Sequence, residues 1–88
     1  MYTREIIMTH KDVWAAIDKL AKKNKISCSK LAILSGLDAT TFNKSKRYSV
    51  FGKPRWPSMH SISKILEATS TTPTEFANFI ENKDYPIE

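Results

Sequence analysis

The fold is decided by one stretch of this chain, SKLAILSGLDATTFNKSKR, residues 29–47. Its first half predicts a short helix over 28–35, because Ser27 suits the N-cap and apolar residues follow at helical spacing. The inward side chains of this helix are expected to be Leu31, Ala32 and Leu34. Gly36 then ends the helix, since glycine accepts the left-handed conformation that other residues avoid. We therefore expect a tight turn with a positive φ at Gly36.

The second half of the stretch predicts a further helix over 39–46. Asp38 suits its N-cap, and Phe42 should pack inward against the helix before it. The other side chains of this helix would point outward, and they are small, hydrogen-bonding or cationic. These outward positions are Ala39, Thr40, Thr41, Asn43 and Lys44. Such side chains suit a helix that lies in the major groove of DNA.

Capping signals place three more helices around this pair. Thr9 and Asp12 match a capping box that begins a helix over about 10–23. Ser58 suits the N-cap of a helix with an apolar stripe, and Thr72-Pro73-Thr74-Glu75 is a second capping box that begins a last helix. The buried face of the last helix is expected to be Phe76, Phe79 and Ile80. With no credible pair of strands, the sequence predicts an all-α domain of five helices.

Size and composition bound the function. Eighty-eight residues make one domain, which is too small for a two-domain enzyme with a cleft. We expect this domain to span residues 9–82, between a lead-in arm over 1–8 and a frayed tail over 83–88. The single cysteine fits a reducing cytoplasm. No apolar run reaches the roughly 20 residues that cross a bilayer, so a cytoplasmic protein is expected.

The residues give no support for catalysis or metal binding. His10 and His60 lack companions at the spacing of a zinc site, and we expect both on helix surfaces. No serine or cysteine has the partners of a nucleophilic triad. Cys28 is expected to be a half-buried residue at a helix start. The sequence therefore predicts no enzyme, no metal and no cofactor.

Charge is one-sided in the middle of the chain. No acidic residue lies between Asp38 and Glu67. The cations of this segment are Lys44, Lys46, Arg47, Lys53, Arg55 and Lys64, more positive charge than the net +5 of the whole chain. Clustered cations attract polyanions, because phosphate contacts release condensed counterions. A solvated basic loop is the alternative, and the two helices before the segment favour a polyanion.

A long loop over 45–57 follows, in which Gly52 and two prolines prevent a continuous helix. Its aromatic residues are Tyr48, Phe51 and Trp56. They would anchor the loop to the core, which is the favoured interpretation, or stack on unpaired bases. Trp14, beside the stripe of the first helix, is expected in the core or at its edge.

Residues 29–47 with capped helices on both sides resemble the helix-turn-helix of lambda-repressor-like regulators, the XRE family. The resemblance covers about residues 9–80. The run GLDATTFNKSKR and the later run RWPSMHSISKILEATSTTPTEF are most similar to the N-terminal domains of phage and bacterial repressors that carry a self-cleaving serine peptidase. The segment that would hold the Ser-Lys dyad of that peptidase is not in this sequence.

The resemblance implies a transcriptional regulator, in the first place a repressor, that binds duplex DNA as a homodimer on a palindromic operator. Base edges would be read by Ala39, Thr40, Thr41, Asn43 and Lys44. Phosphates would be contacted by Cys28, Ser29 and Lys30, and by the later cations Lys46, Arg47, Lys53 and Arg55. A glutamine is frequent in the family where this chain has Ala39, which moves base reading to Asn43, Lys44 or Thr40. The expected dimer contact is the last helix, through Phe79 and Ile80; the alternative is a segment that this sequence does not include.

Two other classes of function remain as alternatives to duplex DNA binding. A protein-interaction module, of the antitoxin or scaffold kind, would keep the fold and use its surface for a partner protein. Binding of single-stranded DNA or RNA through the loop aromatics is a weaker alternative. The absence of acidic residues from 39–66 favours duplex DNA.

Overall fold

The computed structural model describes residues 8–81, and most of them lie in four α-helices. These are α1 (His10–Lys23), α2 (Cys28–Leu34), α3 (Met59–Thr69) and α4 (Pro73–Glu81), with a 3-10 helix at Lys44–Lys46. The described part of the chain is thus all-α, and none of its helices is long and apolar enough to span a bilayer. The predicted arm over 1–8, apart from Met8, and the tail over 83–88 lie outside the described residues.

Each α-helix begins where the capping residues predict. The Thr9 hydroxyl accepts the Asp12 amide at 3.2 Å, and the Asp12 carboxylate accepts the Thr9 amide at 3.1 Å. Thr72 and Glu75 form the same reciprocal pair at 2.9 and 3.1 Å. The two remaining caps are Ser27 and Ser58. Local bonds from side chain to backbone therefore set the start of every α-helix among the described residues.

The core lies where α1 meets the other helices. Its fully buried large side chains are Ile17, Leu20, Leu31, Phe42 and Ile65. Each such side chain stabilises the fold by about 1.5–3 kcal/mol relative to leaving it exposed. On the α4 side, Lys19 is buried and its Nζ donates to the Phe79 carbonyl at 3.0 Å. This bond satisfies a carbonyl of the last turn of α4, where a cation is favoured.

The turn after α2 is the predicted one. Gly36 has a φ of 77°. Its amide bonds to the Ile33 carbonyl at 3.0 Å, and the Leu37 amide bonds to the Ala32 carbonyl at 2.9 Å. This pair of bonds is the Schellman motif, which requires the left-handed residue that glycine supplies. Leu37 then packs back on the core.

The predicted third helix over 39–46 is wrong, and four α-helices replace the predicted five. Backbone bonds in this segment join residues three apart, as in Thr41 to Asp38, Asn43 to Thr40 and Lys46 to Asn43. Asp38 accepts both the amide and the hydroxyl of Thr40, at 2.8 and 2.6 Å. The Thr41 hydroxyl donates to the Asp38 carbonyl at 2.6 Å. Short polar side chains of this kind compete with helical bonding, so the chain forms successive turns.

Two predicted side-chain positions are also wrong. Leu34 is 57% exposed, because α2 ends there and Leu31 and Ala32 suffice to bury its inner face. His10 was expected on the surface but is buried, because the loop before α3 packs over the first turn of α1.

Candidate nucleic-acid interface

An ion pair ties the loop between α2 and α3 to α1. The two terminal nitrogens of Arg47 donate to the Asp18 carboxylate at 3.0 and 2.8 Å, and one of them also donates to the Phe42 carbonyl at 3.1 Å. The guanidinium lies over the Trp14 ring, 4.7 Å from its centroid. Burial alone would lower the pKa of Arg47, but the hydrogen bonds and charge of Asp18 outweigh it and raise that pKa. Arg47 is therefore a permanently charged structural residue.

Arg47 is thus a different kind of cation from the others in its segment. Only 12% of its side chain is exposed, and its donors are directed inward. The prediction that Arg47 contacts phosphate is not supported by this geometry. Lys44, Lys46, Lys53 and Arg55 are exposed.

Residues 47–55 form a short hairpin, and α1 holds both of its ends. A bridge pairs Tyr48 with Pro54, and the Arg55 amide bonds to the Arg47 carbonyl at 3.0 Å. From α1, Nε2 of His10 donates to the Arg47 carbonyl at 2.7 Å. Nε1 of Trp14 donates to the Arg55 carbonyl at 2.9 Å. The base of this hairpin is therefore fixed at two points to a buried helix.

The loop aromatics divide into two kinds. The rings of Tyr48 and Trp56 meet the ring of His10 edge-on, with centroids 4.9 and 6.0 Å apart. These two residues therefore contact α1 through His10 while remaining 42% and 52% exposed, which agrees only in part with the expected anchoring to the core. Trp14 lies in the core as expected. Phe51 has no such role, because it is 85% exposed at the tip of the hairpin.

A polar pocket of about 220 Å³ lies between the 3-10 helix, the hairpin and the start of α3. Its polar lining consists of Thr41, Lys46, Arg55, Ser58 and Ser61, and none of the described residues that line it is acidic. Two cations at one opening suit the oxygens of an anion. Of the hydroxyl groups, those of Thr41 and Ser58 already donate to the Asp38 carbonyl and to Ser61, which leaves the Ser61 hydroxyl as a donor. The N-terminus of α3, which starts at this pocket, adds partial positive charge. A nucleic-acid phosphate is an anion of suitable size and chemistry.

The predicted base-reading residues lie on the turns after Gly36 and at the start of the 3-10 helix. Thr40, Asn43 and Lys44 are exposed, whereas Ala39 and Thr41 are half-buried. The Thr40 hydroxyl is engaged by the Asp38 carboxylate, and Nζ of Lys46 approaches it to 3.2 Å. The bonds from Thr40 lower the pKa of Asp38, which is therefore ionised at neutral pH. Asn43 and Lys44 are exposed, and neither side chain has a hydrogen bond or an ion pair with another described residue.

The three residues at the start of α2 that were predicted to contact phosphate differ in their exposure to solvent. The Cys28 thiol donates to the Asp18 carboxylate at 3.2 Å, facing the ion pair. Burial, and then the hydrogen bond and charge of Asp18, raise the pKa of Cys28 to about 11. The thiol is therefore neutral at physiological pH, in the structural role expected of it. Ser29 and Lys30 remain exposed beside it.

An apolar groove of about 540 Å³ lies next to the polar pocket, with which it shares Trp56 and Pro57, between the start of α1, α3 and α4. Its lining includes Met8, Trp56, Met59, Leu66, Phe76 and Ile80. Of the two predicted dimer contacts, Ile80 lines this groove. Phe79 is buried in the core and is not available at the surface.

The sequence reasoning missed two residues of the network, His10 and Asp18. Both lie in line with Trp14 on α1, at a spacing of four residues, so one face of that helix holds the hairpin. Polar residues at helical spacing with a tryptophan were the available signal. Comparisons of the chain with protein-family models, with curated proteins and with solved structures find no match.

Proposed function

We propose that this chain binds duplex DNA in a sequence-specific manner, as the DNA-binding module of a cytoplasmic transcriptional regulator of the lambda-repressor-like type. The observation that carries the proposal is the polar pocket, which Lys46 and Arg55 both line and which has no acidic residue among its described lining residues. The pocket lies within the part of the chain, 39–66, that has no acidic residue. Phosphates at such a surface gain affinity by releasing counterions.

In this proposal the turn segment after Gly36 takes the place of a recognition α-helix. Asn43 and Lys44 read base edges, with Thr40, Ala39 and Thr41 beside them. The residues that contact phosphate are Ser29, Lys30, Lys46, Lys53 and Arg55. Arg47 and Cys28 instead have a structural role, because both bond to the Asp18 carboxylate of α1 and so fix the hairpin and the start of α2 to that helix. Two copies bind the two halves of a palindromic operator, since one small domain reads few base pairs, and the regulator acts as a repressor.

The salt dependence of binding tests the phosphate contacts. Lys46→Ala with Arg55→Ala should flatten the slope of log affinity against log salt by about 2 and weaken all duplexes alike. Lys22→Ala with Lys23→Ala removes the same charge from exposed positions on α1 and is the matched control. Equal slopes for the two double variants would exclude the pocket as a phosphate site.

Base reading is tested by comparing a selected site with random duplex. Asn43→Ala or Lys44→Ala should weaken binding to the selected site by about 1–3 kcal/mol, and to random duplex by much less. Equal losses on both duplexes would make these residues phosphate contacts only.

The apolar groove supports a second candidate, a module that binds a partner protein. A groove of about 540 Å³ with apolar walls fits the apolar face of a partner helix. Met59→Gln and Leu66→Gln would weaken binding of such a partner and add no acidic charge beside the polar pocket. If these changes abolish the biological activity while duplex affinity is unchanged, the protein-interaction function is the correct one.

A further inference from the structure

The tip of the hairpin exposes two adjacent apolar side chains. Val50 and Phe51 occupy the two central positions of the turn from Ser49 to Gly52 and are 94% and 85% exposed. The turn itself is formed by its end residues, because serine suits the first position and Gly52 has a φ of 79°. Turn formation therefore does not explain a valine and a phenylalanine at the tip.

The tip is presented in a fixed conformation. The Ser49 hydroxyl accepts the Phe51 amide at 3.2 Å and the Lys53 amide at 3.1 Å, and the Ser49 amide bonds to the Lys53 carbonyl at 2.8 Å. Below these bonds, His10 and Trp14 hold the two ends of the hairpin. An apolar group on such a support loses little conformational freedom on binding.

The charge around the tip selects its partner. Lys53 and Arg55 follow the tip on the same hairpin, and Arg55 lines the polar pocket. Before the tip, the Arg47 side chain is only 12% exposed and Lys46 is the nearest exposed cation, so the exposed charge of the hairpin itself lies after the tip. An apolar tip beside exposed cations matches the chemistry of proteins that insert an apolar wedge between base steps from the minor groove.

We propose that Val50 and Phe51 form a wedge that enters the minor groove next to the site read by Asn43 and Lys44, partly unstacks one base step and bends the duplex. This inference rests on the proposed DNA binding. It adds a second contact, in the other groove, and a deformation of the DNA. Its specificity comes from base steps that unstack easily, because the energy of deformation depends on sequence.

The test combines end-to-end fluorescence transfer on a selected duplex with 2-aminopurine placed at successive steps. The wild-type chain should bend the duplex and raise 2-aminopurine fluorescence at one step. Phe51→Ala should abolish both signals and weaken binding roughly tenfold, with the salt slope unchanged because no cation is lost. Phe51→Leu should keep the bend, since leucine also serves as a wedge. Leu34→Ala, at an exposed apolar position on α2, should change neither signal.

The outcomes separate the wedge from DNA binding itself. Wild-type binding without a bend, or an equal bend by Phe51→Ala, overturns the wedge and leaves the proposed function standing. No duplex binding by the wild-type chain overturns both. Loss of self-association or of binding to anionic lipid vesicles in Phe51→Ala, with the bend unchanged, assigns the tip to a protein or membrane partner instead. An unchanged melting temperature of each variant shows that the fold is intact.

Discussion

The helical frame, which consists of α1 to α4, and the segment over 38–55 are stabilised in different ways. In the frame, each helix has a local cap and buries an apolar face against the others. In the segment, Phe42 is the one fully buried side chain, and the remaining ties to α1 are hydrogen bonds, one ion pair, and the contacts of Tyr48 and Arg47 with the rings of His10 and Trp14. The comparison shows that the frame depends on apolar burial, whereas the candidate interface depends mainly on a few polar and ring contacts with α1. Segments with little apolar burial open more readily than the fold as a whole.

Because of this difference, we expect the loss of the ion pair between Arg47 and Asp18 to weaken the attachment of the segment to α1 most. Arg47→Ala should lower the free energy of unfolding by about 3 kcal/mol, because it leaves the Asp18 carboxylate without a cation, bonded to the Cys28 thiol, and removes a stacked guanidinium from Trp14. Lys53→Ala, an exposed cation of the same hairpin, should change it by less than about 0.5 kcal/mol. Urea denaturation monitored by circular dichroism measures both. Similar small losses for the two variants would show that the hairpin is not held by Arg47.

A second contact between α1 and the hairpin is the hydrogen bond from Trp14 to the Arg55 carbonyl, and it can be tested by removing the donor. Trp14→Phe keeps a buried ring but loses the bond to the Arg55 carbonyl, so unfolding should become easier by about 1–2 kcal/mol. The Arg55 amide, which bonds to Arg47, should also exchange faster with deuterium. Trp56→Phe, at a half-exposed position, is the matched control and should change the exchange rate of the Arg55 amide little. Equal exchange in the two variants would contradict the role of Trp14.

The frame could be predicted from sequence, because its signals are local. Caps at Thr9, Ser27, Ser58 and Thr72 each fix a helix start at the next residue, and Gly36 fixes an end. Apolar spacing then identified the core, with Leu34 as the exception at the end of a helix. In this region the local preferences of the residues agree with the tertiary structure, so caps and apolar spacing were sufficient to predict the helices.

The segment over 38–55 could not be predicted in the same way. Asp38 looks like an ordinary N-cap, and nothing local shows that Thr40 and Thr41 bond it into turns instead. The role of Arg47 depends on Asp18, which lies 29 positions away in the sequence. Charge identified this region as a cationic surface, but only tertiary contacts separate the structural cation from the exposed ones.

Two glycines with the same backbone conformation sharpen the comparison. Gly36 ends a frame helix and Gly52 closes the hairpin tip, and a methyl group at either position would meet no atom within 4 Å. The strain of a positive φ is therefore the whole effect, about 1 kcal/mol. Gly36→Ala should lower global stability by that amount. Gly52→Ala should lower it less and speed deuterium exchange at the Lys53 amide, because the tip opens locally. Equal global losses would mean that the hairpin unfolds only with the frame.

The smallest expected effect concerns a cap of the frame and its dependence on pH. The hydrogen bond from the Thr72 amide lowers the pKa of Glu75 below its ordinary value of 4.5. A carboxylate with a lowered pKa stabilises the folded state above that ordinary value, and the contribution is lost as pH falls through the folded pKa. Glu75→Gln should therefore melt at a lower temperature than the wild-type chain at pH 7, and the gap should close by about pH 2.

Glu81 lies at the other end of the same helix and gives the matched control. A negative charge there is disfavoured by the helix dipole, so Glu81→Gln should leave the melting temperature at pH 7 unchanged or slightly higher. Melting curves of the three proteins between pH 2 and pH 7 decide the matter. If the Glu75→Gln gap persists at low pH, or if Glu81→Gln produces the same gap, the carboxylate does not act through the cap. The start of α4 would then depend on apolar burial alone, and the role of local caps in the frame would be smaller than the hydrogen bonds indicate.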